Sequence, residues 1–234
     1  MIDRTQDVQQ VISTYLKPNQ TWMVGGFGRG GVPFTLLEAI ASKPVGTFSG
    51  LTLIKNDANE PNLGVGVLLQ NGSVKHLIAT HIGLNPDAVK MMNEKRFTVE
   101  FVPQGIFAEK IRAGGSGIPA FLSDIGLGTI VAEGKQEVEF CGKPYLLEKA
   151  LRGDVALLCA DVVDRVGNCW WRGSNRNMNV VMGLACDHVI VEAKKIVEVG
   201  EIQPENVHLP HVVVSAVIQA QPRRHINTPG GGIS

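Results

Sequence analysis

Two stretches carry residues whose types and spacing suit chemistry on an anionic substrate. The first is TWMVGGFGRGGVPFTLLEAI (21–40), in which Gly26, Gly28 and Gly31 stand as G-x-G-x-x-G. A strand, then glycines, then a helix start offers free backbone N–H groups at the positive end of a helix dipole, which suits phosphate. Asp57 follows the next apolar run, LTLI (51–54), roughly where dinucleotide folds place a ribose-binding acid. Three readings stay open on these residues: a dinucleotide site, a site for another phosphate-bearing ligand, and a tight connector whose glycines supply positive φ. Under either ligand reading Gly26 tolerates no side chain. The second stretch places Pro103-Gln104-Gly105 directly after an apolar strand, with another glycine-rich segment at 114–117 and Pro119 behind it. Such a turn suits a carboxamide held rigidly over a ligand.

The elements that must position these groups alternate along the chain. Asp7 to Leu16 has a helical apolar rhythm, Thr21 to Val24 reads as a short buried strand, and Pro33 suits the first turn of a helix continuing through Phe34 to Ala41. LTLI (51–54), KHLIAT (75–80) and FTVEFV (97–102) read as strands, with a helix between the last two from Pro86 to Asn93. VALLCA (155–160), HVIVEA (188–193) and HVVVSAVIQA (211–220) add three strands so apolar that both faces must be covered. The fold class that follows is α/β, an open, mostly parallel sheet covered by helices. One domain is expected over residues 1–222, with a flexible Pro/Gly-rich tail over 223–234.

Composition narrows the classes. In 234 residues, Lys+Arg and Asp+Glu are equal at 22 each, so no charge surplus favours nucleic acid or an acidic membrane surface. No apolar run approaches the ~20 residues of a membrane span, the N-terminus does not read as a signal peptide, and a cytoplasmic location is expected. Cys141, Cys159, Cys169 and Cys186 form no C-x-x-C pair and have no histidine cluster, so neither a metal site nor a disulfide framework is expected and the four read as buried thiols.

The chain resembles the A (alpha) subunit of the two-subunit family I CoA-transferases, the 3-oxoacid and acetate/butyrate–acetoacetate type. The resemblance runs from about Thr5 to Ala220 and rests on GGFGRGGVP (25–33), ATHIGLNP (79–86), VPQGIFAEKIRAGGSGIPAF (102–121), GLGTIVAEGK (126–135), RGDVALLCADVVDRVGNCWW (152–171), NRNMNVVMGLACDHVIVEA (175–193) and GEIQP (200–204). The G-x-G-x-x-G spacing is then a by-product of GGF-x-x-x-G-x-P. The chain departs from the family pattern at Pro18, Trp22, Arg29 and Phe34, and in NRNMN, where RNFNP is more usual.

The resemblance implies the CoA-transferase fold and an enzyme that moves CoA from a short-chain acyl-CoA to a free carboxylic acid. It implies no permanently bound cofactor, a coenzyme A thioester as substrate, and a heterotetramer with a B (beta) subunit that carries the catalytic glutamate in a Glu-Asn-Gly context. That triplet is absent here; Glu60, Glu94 and Glu192 read as solvated or strand-end acids. By the same resemblance Gln104 is the oxyanion donor, and Gly25, Gly26, Phe27, Gly28, Arg29, Gly30 and Gly31 form the CoA-contact loop. Arg29 meets either a phosphate or solvent, and His81 and Asn85 read as structural. For a dicarboxylic acid, Arg29 and Arg112 are the nearby cations in these motifs. Two rivals remain on the residues alone: an NAD-dependent oxidoreductase using the glycine loop and Asp57, and a non-catalytic ligand-binding sensor.

Overall fold

A computed structural model describes residues 2–222; the tail expected to be flexible lies outside the described residues. Helix α1 (Val8–Tyr15) opens the chain, capped by Asp7, whose carboxylate accepts from the backbone N–H of Gln9 and Gln10 at 2.8 and 3.3 Å. Then β1 (Thr21–Val24), α2 (Phe34–Ala41), β2 (Leu51–Ile54), α3 (Val65–Gln70), β3 (Val74–Ala79), α4 (Pro86–Asn93), β4 (Thr98–Phe101) and α5 (Gln104–Gly115) alternate. The second half holds β5 (Ala120–Ser123), β6 (Glu137–Phe140), β7 (Lys143–Lys149), β8 (Gly153–Asp164), β9 (Cys169–Trp170), α6 (Asn179–Leu184), β10 (Cys186–Val197) and β11 (Ala216–Gln219).

The main sheet runs β11-β10-β8-β1-β2-β3-β4, with β9 hairpinned onto β8. Every pairing is parallel except β8–β9. Alternate residues of each strand feed opposite faces. Trp22, Val24, Leu53 and Leu157 join one buried cluster with α1 to α4, whereas Met23, Ile54, Ala156 and Leu158 join another with α5 and α6. Strand order reverses between β1 and β8: β2, β3 and β4 follow on one side, β10 and β11 on the other. The crevice outside the carboxyl ends of strands at such a switch point is where open α/β sheets bind ligands.

The fold differs from the sequence expectation in several places. FTVEFV does form a strand, but β4 is the sheet's edge and is largely exposed, with Phe101 49% accessible. The run 211–220 yields only the short β11, because Pro210 leads residues His211–Val213 into a 3-10 turn first. Glycines 114 and 115 belong to the end of α5, and Gly117, at φ 72°, closes the helix with Ile118 N–H donating to Ala113 C=O at 2.9 Å, a Schellman end. Pro33 stands at the N-cap position, just outside the first turn of α2, and offers it no side-chain cap.

A separate three-stranded sheet, β5-β7-β6, is not foreshadowed by the sequence pattern. Its hairpin turns on Cys141 and Gly142, both at positive φ (53° and 73°), so Cys141 is an exposed turn residue and not the buried thiol expected. The other three match the expectation more closely; burial pushes the thiols of Cys159 and Cys186 up to about 12. Lys110 of α5 sits 3.2 Å from Glu100 of β4 and 3.7 Å from Glu148 of β7, and Lys135 pairs with Glu148. These paired charges tie the small sheet to α5 and wall a cavity of about 500 Å³.

Candidate active site

The glycine loop leaves β1 at the switch point and is fastened from two sides. Gly25 N–H donates to Leu157 C=O of β8 at 2.9 Å. Phe27 and Gly30 then exchange two backbone hydrogen bonds, at 3.0 and 3.1 Å, around a two-residue turn. Gly28 takes its first central position at φ 55°, where a side chain is strained and a β-carbon would meet open space. Gly26, at φ 106°, is crowded instead: a β-carbon there would collide with the side chain of Val32. The intolerance expected at Gly26 therefore has a structural cause in backbone and packing.

On one side, the residues after β2 hold the tip of this turn. Asp57 accepts from Gly28 N–H at 2.9 Å and Asn59 N–H at 2.8 Å, and Asn59 donates its carboxamide to Gly28 C=O at 2.8 Å. Lys55, wholly buried, lies 3.2 Å from Asp57 and 3.5 Å from Gly26 C=O. Burial pushes the Asp57 carboxyl up, but the Lys55 charge and the N–H groups of Asn59 and Gly28 outweigh it and hold the group below its ordinary value of 3.8. Burial in turn draws the Lys55 ammonium down. With 1% of its surface accessible and both oxygens engaged, Asp57 anchors the loop and offers nothing to a ribose.

On the other side stand the asparagines of NRNMN. Asn177 accepts from Gly26 N–H at 3.3 Å and donates to Gly30 C=O at 3.2 Å, while Asn179 donates to Gly31 C=O at 3.3 Å. Asn175 is tied to Asp161 at 3.2 Å. The sequence pattern singles out none of these residues, nor Lys55 or Asn59, as a support of the loop. The clue is the repeated Asn in a stretch that stands out in sequence only as a departure from the family pattern.

Of the seven candidate loop residues, Gly25, Gly26 and Gly31 are buried and shape the turn, whereas Phe27, Gly28, Arg29 and Gly30 reach the surface. Beside them lies a cavity of about 480 Å³ lined by Phe27, Gly30, Gly173, Ser174, Arg176 and Asn177. Arg29 does not simply face solvent: its Nε donates to Glu60 at 2.7 Å. Arg112 is likewise engaged by Glu109.

Gln104 is the first residue of α5 and is exposed. Pro103 precedes it without a side-chain cap, so Gln104 stands at the uncapped, positive end of a 12-residue helix. Among the described residues its carboxamide has no hydrogen-bond partner. Three strand steps separate the end of β4 from the end of β1, roughly 14 Å at ~4.8 Å per step. The structure thus places the glycine loop and Gln104 at the same end of the sheet but not in contact.

The three candidate glutamates take different places. Glu94 is exposed, 4.0 Å from Lys90 one helical turn away. Glu60 spends one oxygen on Arg29 and buries the other. Glu192 is neither solvated nor at a strand end. It sits within β10, 4% accessible, and accepts from Leu36 N–H at 2.9 Å, capping α2 where Pro33 cannot. Burial holds its carboxyl above the usual range against the N–H groups of Leu36 and Thr35. Asn85 is structural, as expected: buried, it caps α4 by accepting from Ala88 N–H at 3.0 Å. Among the described residues no group of His, Cys, Asp and Glu could hold a metal ion, and no helix is long and apolar enough to cross a membrane.

Comparison with known proteins gives this geometry a context. The family described as coenzyme A transferase matches residues 5–220. The alpha subunit of the acetoacetyl-CoA:acetate/butyrate CoA transferase of Clostridium acetobutylicum is 38% identical over 208 residues, 89% of this chain and 94% of that one. The alpha subunit of the acetate CoA-transferase of Escherichia coli (strain K12) is 42% identical over 207 residues, 88% of this chain and 93% of that one. Among solved structures, an acyl-CoA transferase apoenzyme from Escherichia coli O157:H7 superposes with a TM-score of 0.81 at 23% identity, over 93% of this chain and 47% of its own. This likeness bears on the fold, and the chain spans about half the length of that enzyme.

Proposed function

The chain belongs to the coenzyme A transferase family, and we propose that it is the alpha-type subunit of a heteromeric enzyme, a heterotetramer with a B subunit, that moves CoA from a short-chain acyl-CoA to a free acid of the acetate, butyrate and acetoacetate class. The observation that carries the split into two chains is the missing Glu-Asn-Gly glutamate; of the three candidates, Glu94 is exposed but lies against Lys90 at the C-terminal end of α4. Glu-Asn-Gly is absent from the sequence, Glu60 is bound to Arg29, and Glu192 is buried as a helix cap. The fold and the glycine loop are nonetheless in place. Both relatives are alpha subunits, which supports a partner chain, and their acids support the substrate class.

The chemistry divides accordingly. A carboxylate oxygen of the partner's glutamate attacks the thioester carbonyl, and the carbonyl electrons move onto oxygen. Collapse expels CoA thiolate and leaves an acyl–glutamyl anhydride. The thiolate then attacks the glutamyl carbonyl and releases the acyl carboxylate, giving glutamyl-CoA thioester. The second acid reverses both steps, so the thioester bond is conserved and no ATP is required. Each attack creates a tetrahedral oxyanion. Gln104 supplies a neutral N–H donor to it from the start of α5, stabilising the developing charge without pairing to the substrate's carboxylate. Gly25–Gly31 forms part of the CoA and acyl site, with Phe27, Gly28, Arg29 and Gly30 as its presented edge. The four free cysteines fit a reducing compartment such as the cytoplasm.

The test is turnover. Acetyl-CoA with acetoacetate or butyrate should give CoA transfer when this chain is combined with its B subunit, and none from the purified chain alone. Full activity from the lone chain would refute the division of labour.

A further inference from the structure

Arg176 lines the cavity beside the glycine loop and forms none of the hydrogen bonds that hold the loop. It is exposed, and among the described residues no hydrogen bond or ion pair engages its guanidinium. The two cations that the sequence motifs offer to a substrate anion are in a different position: Arg29 and Arg112 each lie against a glutamate, at 2.7 and 2.5 Å. The backbone that carries Arg176 is held in place. It ends the 3-10 turn Gly173–Arg176, and the next residue, Asn177, takes φ 23°, a sparsely populated conformation for a residue with a side chain. The hydrogen bonds of Asn177 to Gly26 and Gly30, and of Asn175 to Asp161, maintain that conformation. The strain therefore fixes the Arg176 backbone against the glycine loop, with half-exposed Phe27 also lining the cavity. A five-donor planar fork beside an apolar ring matches a ligand with a short apolar body and an oxyanion.

We propose that Arg176 is the anion-binding residue of this cavity and takes a substrate oxyanion, a carboxylate of the acid or a phosphate of CoA, in bidentate fashion. The assignment rests on the transferase reading for the identity of its ligands, but the residues that form it all belong to this chain. Its charge also reaches the His208 ring, which burial and then Arg176 hold below the usual 6.5.

Direct binding tests it without turnover. CoA, dephospho-CoA, acetate and succinate are titrated calorimetrically into the full chain, alone and with the B subunit, as wild type, Arg176→Gln and Arg176→Lys. Loss of a charge-assisted bidentate contact should weaken at least one of these anions about tenfold or more in Arg176→Gln, with Arg176→Lys intermediate and the melting temperature unchanged. A loss for CoA that spares dephospho-CoA and the acids assigns the 3′-phosphate. A loss confined to the acids, larger for succinate, assigns the carboxylate. Unchanged binding of all four, or wild type that binds none of them, overturns the proposal. Wild-type turnover with the B subunit, measured alongside, reports separately on the transferase reading.

Discussion

The glycine loop and the Gln104 turn both stand at carboxyl ends of strands in one sheet, yet they are held in opposite ways. The loop follows a central strand and is pinned by Asp57 and Asn59 on one flank and by Asn177 and Asn179 on the other. Gln104 follows the edge strand, begins a helix without a side-chain cap and is exposed. One region is complete within this chain; the other presents an exposed carboxamide. A fixed loop suits a part whose shape must exist before substrate arrives, since a preformed site costs no reorganisation during reaction. An exposed donor at a sheet edge suits a part whose surroundings a second chain completes.

Breaking the anchor should produce the largest effect. Asp57→Asn leaves Lys55 buried without its counter-charge, and removing one partner of a buried pair costs about 3–5 kcal/mol. Urea unfolding should show that loss, and adding Lys55→Met should recover most of it; a single variant within about 1 kcal/mol of wild type would mean the pair does not hold the loop. The same carboxylate sets a pH dependence. Its folded pKa is depressed, so its contribution is present above the ordinary value of 3.8 and is lost as pH falls through the lower folded value. Wild type should therefore lose stability on acidification in that range, and Asp57→Asn should lack that component.

The exposed side of the comparison should respond in rate and not in stability. On the proposed mechanism Gln104→Ala removes an oxyanion donor, and loss of one such donor typically lowers kcat by about 10²–10³. Because the side chain is exposed, unfolding should shift by no more than about 0.5 kcal/mol. Steady-state kinetics of the complex separates the alternatives: a raised KM with unchanged kcat would assign Gln104 to ground-state binding.

The central strands of the parallel sheet are legible because they are buried on both faces, and VALLCA, with the largely apolar LTLI and HVIVEA, shows this in the sequence. The small sheet is not, since a half-exposed hairpin such as EVEFCGKPYLLEK mixes charges with apolar residues and turns on Cys-Gly, without the usual Asn-Gly or Asp-Gly signal. The spacing of the glycine loop reveals the loop but not its supports. Asp57 looks like a ribose ligand because sequence gives its distance from the loop and not the burial of the lysine two residues earlier. Asn177 and Asn179 lie about 150 residues from the glycines they hold (for example 151 between Gly26 and Asn177), so only the strand order that places β8 beside β1 brings them together. Glu192 misleads for the same reason, reading as a local strand-end acid when its partner is 156 residues away on α2.

The proposed division of the site between two chains is tested by where a covalent intermediate forms. The wild-type complex is incubated with acyl-CoA and no second acid, and each intact chain is weighed by mass spectrometry. A CoA-sized increment should appear on the B subunit but not on this chain. The increment on this chain would contradict a division in which it supplies the loop and Gln104 but not the nucleophile.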